Sequence, residues 1–159
     1  MDLHHFSDWL ASTPFSQAIQ VSTWAIPTFQ SVHIISLALL FASALILTLR
    51  IAGRGLAAEP LPQLATRFTR AIWILLAILL ATGLLLITAE PGRTITNPAF
   101  YSKMVMLAVV VALTLWLSSV ARREFERPSS LHVAVAVICM LLWVGIMFAG
   151  RLIAYIESY

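Results

Sequence analysis

The sequence predicts an all-α fold: an integral membrane four-helix bundle with a short amphipathic N-terminal helix. Three observations predict it. Of the 159 residues 60% are hydrophobic and 11% are charged, whereas a soluble domain carries roughly a quarter charged residues. Four apolar runs, about 24–49, 71–89, 101–120 and 131–156, each approach the ~20 residues that a helix needs to cross ~30 Å of hydrocarbon. The connections between them are short and rich in proline and glycine. In lipid the backbone must satisfy its own hydrogen bonds, so these runs are helices, and they are too long for barrel strands.

The elements follow in order. Residues 1–23 form an interfacial amphipathic segment, with one or two short helices broken at Pro14 and with Trp9, Phe15 and Ile19 spaced to lie against a membrane surface. Residues 24–159 form the bundle. The first span ends where Ala52 through Pro62 breaks the helix. Glu90-Pro91 closes the second span, because a residue before proline avoids the helical region. Asn97-Pro98 opens the third, with proline in a first turn, and Glu126-Arg-Pro-Ser-Ser130 separates the third from the fourth. Small residues four apart, Ala38/Ala42, Ala77/Ala81, Ala108/Ala112 and Gly145/Ala149, predict close helix contacts.

Seven cationic residues (Arg50, Arg54, Arg67, Arg70, Arg122, Arg123, Arg127) flank the first and third connections, against Arg93, Lys103 and Arg151 on the other side. The positive-inside rule then places both termini outside, periplasmic if the membrane is a bacterial inner membrane. Trp24, Tyr101, Tyr155 and Tyr159 fall at the outer interface. The N-terminus lacks a positive leader before an apolar core and predicts no cleavable signal peptide. No basic cluster interleaved with aromatics is present, which excludes nucleic acid as the expected partner; the lipid bilayer is the expected environment. The lone Cys139 forms no intrachain disulfide. Paired cysteines, HExxH, GxSxG and Walker loops are absent, so nothing supports hydrolytic or nucleophilic catalysis.

One ionisable ring stands inside the first span. His33 lies nine residues past Trp24, about 13 Å along a helix. Gln30, three residues before it, and Ser36, three after, share its stripe with Ala44. Polar seams in membranes face the bundle interior. Such a seam either glues helices together by hydrogen bonds or forms a site: a haem ligand, a quinone hydrogen-bond donor, a metal ligand or a proton relay. With this topology Glu90, Lys103 and Arg151 converge on the same outer half, with Met147 on the face of Arg151. Cations beside a histidine suit haem propionates or a quinone oxygen. Plain snorkelling of Lys103 and Arg151 to the head groups is the alternative. His132 falls at the other end of the bundle and cannot share a haem with His33, while His4 and His5 lie in the tail on the outer side. The methionines Met104, Met106, Met140 and Met147 read chiefly as packing.

The combination of Ser22-Thr-Trp24, Pro27, Gln30, His33 and Leu49-Arg50-Ile51-Ala-Gly53 resembles a family of small bacterial four-span membrane proteins that is catalogued as a domain of unknown function. The likeness continues in Asn97-Pro98-x-Phe100-x-x-Lys103, in Trp143 and in Ala149-Gly150-Arg151-Leu-Ile-Ala-Tyr155. Thr48-Leu49 stands where that pattern has an acid before the arginine. The resemblance implies fold and location but no activity. A fainter likeness connects the bundle with b-type cytochromes and copper-resistance D proteins, by analogy alone. The leading expectation is an electron-transport subunit of the inner membrane that holds haem b or a quinone near His33, with cofactor contacts from Gln30, Lys103, Glu90, Met147 and Arg151, and His33 as any metal's ligand. A membrane or periplasmic protein partner or a homo-oligomer is expected with it. A non-catalytic anchor or assembly subunit, or a small copper or solute permease, are the other readings.

Overall fold

In a computed structural model the described residues are 3–54, 60–121 and 129–155, and among them there are helices and no strands. The helices are α1 (Leu3–Ala11), α2 (Pro14–Val21), α3 (Ala25–Ile51), α4 (Leu61–Ala89), α5 (Pro91–Ile95), α6 (Pro98–Ala121) and α7 (Ser130–Tyr155). Four are long and apolar enough to cross a membrane: Ala25–Ile51, Leu61–Ala89, Pro98–Ala121 and Ser130–Ile153. The chain is a multi-pass membrane protein. Arg122, Arg123, Arg127 and Tyr159, and the side chain of Tyr155, lie outside the described residues.

The spans pack in a ring. α3 contacts α4 and α7, and α6 contacts α7 and α4, the α4–α6 contact being the slightest. α3 and α6 therefore occupy opposite corners. The short helices gather where α3 and α6 begin and α4 and α7 end: α1 packs on α5, α2 on α3 and α4, and α5 on α7. This capped end is secured by specific bonds. Thr13 caps α2, its side chain accepting from the Ser16 N–H at 3.3 Å with Pro14 in the first turn. The buried Ser16 hydroxyl donates to the Thr88 carbonyl at 2.7 Å, pinning α2 to the last turn of α4. Buried Asn97 caps α6, its Oδ1 accepting from the Ala99 N–H at 2.9 Å, and the Tyr101 hydroxyl reaches the Ile95 carbonyl at 2.9 Å. At the opposite end α3 closes on Gly53, whose φ of 72° is the left-handed conformation that glycine adopts without a Cβ clash. Arg54 N–H then bonds to the Leu49 carbonyl and Gly53 N–H to that of Arg50, the Schellman arrangement.

Two buried clusters form the core. Leu40, Ala44, Ile72, Leu76, Leu79, Val110, Cys139, Trp143 and Ile146 fill the middle. Leu47, Ile51, Leu64, Ala65, Leu117, Ala121 and Ala136 fill the uncapped end. Outward faces carry Ile34, Leu84, Val105, Leu141 and Phe148, as lipid contact demands.

Two expectations are corrected. The second span's helix starts at Leu61, not near residue 71. Pro60 and Pro62 occupy its cap and first turn, where the missing N–H costs nothing. Leu64, Ala65 and Thr69 are buried while Arg67 and Arg70 face outward, so the stretch is an amphipathic first section. The small-residue pairs Ala38/Ala42, Ala77/Ala81 and Ala108/Ala112 are exposed. Of the four pairs, Gly145/Ala149 lies against a neighbouring span, with Ala149 5% exposed. Four-residue spacing marks a face without saying which way it points. Glu90 closes α4 as expected, with the non-helical φ of −133° of a residue before proline, and the turn after it is a separate short helix, α5, with Pro91 in its first turn.

Candidate functional site

α3 carries His33 two turns below its capped end, and α4 meets it with Thr82-Gly83. His33 Nδ1 lies 2.8 Å from Thr82 Oγ1. The Thr82 hydroxyl also lies 2.8 Å from the Ile78 carbonyl of its own helix. A hydroxyl has one proton, and the carbonyl takes it. The ring must therefore supply Nδ1–H, which leaves Nε2 with its lone pair. A hydrogen bond at one ring nitrogen fixes both tautomer and ring plane. Gly83 clears the space beside it: a Cβ there would stand 3.6 Å from His33 Cε1.

From the opposite corner α6 sends Lys103 inward. Its side chain is partly buried, and its Nζ lies 3.7 Å from where a Cβ at Gly150 would stand. Gly150 on α7 thus makes room for Lys103. The ammonium makes no hydrogen bond or ion pair among the described residues, yet it is near enough to act electrostatically on the His33 ring. Because α3 and α6 are diagonal, that interaction crosses the bundle interior. One turn deeper, Met106 packs against Gly145, its Sδ 3.0 Å from a Cβ position there.

The other residues singled out from the sequence fall differently. Gln30 is exposed on α3, off the inward seam that His33, Ser36 and Ala44 follow; three residues fall ~60° short of a full turn, so Gln30 and Ser36 lie on opposite sides of His33, about 120° apart, and Ser36 is the one turned inward. Arg151 is exposed and Met147 half-buried. Glu90 is engaged with Arg93 at 3.4 Å, both carrying side chains close to half exposed. His4 and His5 are exposed on α1. His132 sits at the uncapped end, where its Nδ1 accepts from the Ser129 N–H at 3.1 Å and its ring stacks on Trp116. Among the described residues no group of three metal-ligating side chains occurs. Sequence reasoning missed Thr82 and Gly83. Thr82-Gly83 had a signal, since it interrupts the apolar run Ala71–Ile87 with a hydroxyl and a missing side chain.

Span count, capped end and interior cluster together define a class: four-span membrane proteins with a histidine and a lysine brought together between the helices near one face. Within it, the chain belongs to the Family of unknown function (DUF6644), whose model matches residues 6–156. No curated protein and no solved structure matches the chain.

Proposed function

We propose that this protein is an inner-membrane electron-transport subunit that holds a quinone or quinol headgroup between His33 and Lys103 and exchanges electrons with a partner. One observation carries the reading. A lysine ammonium with no bonding partner among the described residues and an imidazole with an open Nε2 are both partly buried, on diagonal helices, in the capped half of the bundle. Lys103 suits donation to a quinone carbonyl; His33 Nε2 suits acceptance from a quinol hydroxyl. The redox chemistry belongs to the quinone, and these residues bind and orient it. Haem b, the other candidate, is less well supported. His33 would be one axial ligand, but His4 and His5 are exposed on α1 and His132 is at the far end. The excess of arginine in the two connections at the uncapped end supports periplasmic termini.

A short-tailed benzoquinone titrated into delipidated, detergent-purified protein tests this. Lys103→Met removes a charge-assisted bond, so affinity falls about 10- to 100-fold. Protein that purifies without quinone and binds none of the added analogue defeats the proposal; a Soret band lost in His33→Ala would restore haem.

The exposed amide of Gln30 favours a second role alongside the first. A side-chain amide on an outward face of a span, five residues into α3, has either the head-group region or another helix to bond to, and a neighbouring helix would hold it more firmly. A partner subunit or a second copy would supply it. Gln30→Leu then lowers the mass of the detergent-extracted assembly by light scattering, and an unchanged mass removes this role.

A further inference from the structure

Toward the uncapped end from His33, α4, α6 and α7 line a half-open pocket of about 10 Å³. Its polar lining is Thr69, Thr114, Ser118 and Trp143, and its rim includes Trp73 and Leu115. Thr69 and Trp143 are each 2% exposed. Thr69 Oγ1 and Trp143 Nε1 are buried with no hydrogen-bond partner among the described residues. They line one pocket, yet they do not bond to each other. An indole N–H can only donate, and buried donors in native proteins find acceptors. The Ser118 hydroxyl donates to the Leu115 carbonyl at 3.0 Å, which leaves its lone pairs open. Donor, acceptor and amphoteric groups thus surround a space of about the smallest size that admits one water, roughly 10–15 Å³.

We propose that this pocket binds one ordered water, which accepts from Trp143 Nε1 and is held by the hydroxyls of Thr69 and Ser118, with Thr114 beside them. The site is mid-span: Trp143 lies thirteen residues into α7, about 20 Å from its start. A lipid ester carbonyl, confined to the head-group region, does not reach that depth. The water joins α7 to α4 and α6, the two adjacent spans that touch each other least. It does not depend on the quinone reading.

Protein carrying ¹⁵N-labelled tryptophan in lipid nanodiscs tests it. Trp143→Phe assigns the Trp143 indole proton by its disappearance. Expected is a nuclear Overhauser cross-peak between that proton and water with the sign of a long-lived contact. It is also expected, reduced, in Thr69→Val and in Ser118→Ala, since neither hydroxyl alone holds the water. The indole signals of Trp9, Trp24, Trp73 and Trp116 report that each variant keeps the fold. An indole proton with no water cross-peak in the unaltered protein means a dry pocket and overturns the proposal. So does a cross-peak abolished by either variant while the other indoles are unmoved, because the signal then passed through a directly bonded hydroxyl.

Discussion

Thr82→Val isolates the contact on which the candidate site depends. Valine keeps the branched shape of threonine and removes its oxygen, so packing between α3 and α4 is preserved. Two bonds disappear: His33 Nδ1 to Thr82 Oγ1 at 2.8 Å and Thr82 Oγ1 to the Ile78 carbonyl at 2.8 Å. The second matters little, since a carbonyl inside a helix keeps its backbone partner. The first leaves a ring N–H half-buried between two spans. Side-chain hydrogen bonds between membrane helices average about 0.6 kcal/mol and reach about 1.7. Stranding a donor adds to that, within the roughly 1–3 kcal/mol of an unsatisfied buried group. The expected loss is about 1–2 kcal/mol in reversible unfolding from mixed micelles, recovered largely by Thr82→Ser. A double-mutant cycle with His33→Ala separates this bond from general effects, because a pair in contact couples by about 0.5 kcal/mol or more. Additive losses, with no coupling between positions 33 and 82, refute the assigned tautomer and with it the open Nε2.

Three further outcomes follow from the same packing. Gly83→Ala leaves quinone-analogue binding intact, because its Cβ meets His33 Cε1 at an ordinary 3.6 Å, whereas Gly83→Leu pushes the ring aside and abolishes binding in the same titration. Gly145→Ala places a Cβ 3.0 Å from Met106 Sδ, the far part of a flexible side chain; the cost in unfolding is about 1 kcal/mol, at the low end of overpacking, and Met106→Ala in the same chain relieves it. Ser16→Ala frees α2 from the Thr88 carbonyl at about 0.5–1.5 kcal/mol, seen as faster proteolysis before Trp24 with the spans left intact.

The spans were legible because lipid enforces them. A helix in hydrocarbon must be long and apolar, and that signal survives any detail of packing. Which face of each span looks inward was far less legible. Hydrophobicity distinguishes inside from outside in water, but lipid is as apolar as leucine, so the exposed Ala38, Ala77 and Ala108 read the same as the buried Ala44. His33 and Lys103 were found because ionisable groups in a span are costly and stand out. Gln30 and Arg151 were placed with them by rotation counting, and both are exposed, since a position close to a helix end can satisfy its polar group at the interface. Thr82 escaped notice because a hydroxyl bonded back to its own helix is common in membrane spans and carries no sign of a second partner.

The vertical order of the polar groups bears on how such a bundle can work. α4 supplies Thr82 to the His33 level and Thr69 to the mid-span pocket, thirteen residues apart, or about 20 Å of helix rise. Between them α4 buries Ile72, Leu76 and Leu79, faced by Leu40, Val110, Cys139 and Ile146. That belt closes the bundle axis with apolar side chains and a single buried thiol, Cys139, and a charged species at such a depth is strongly disfavoured. A permease would have to open it by separating spans that pack directly on one another. A headgroup entering at the capped end needs no such opening, because His33 and Lys103 lie on the near side of the belt. Protons and electrons exchanged there return to the same face, so in proteoliposomes with a single orientation the quinone-dependent reduction of an acceptor supplied at the capped face proceeds without net charge crossing the membrane. A membrane potential generated by that turnover would show that the belt conducts and would return the permease reading to consideration.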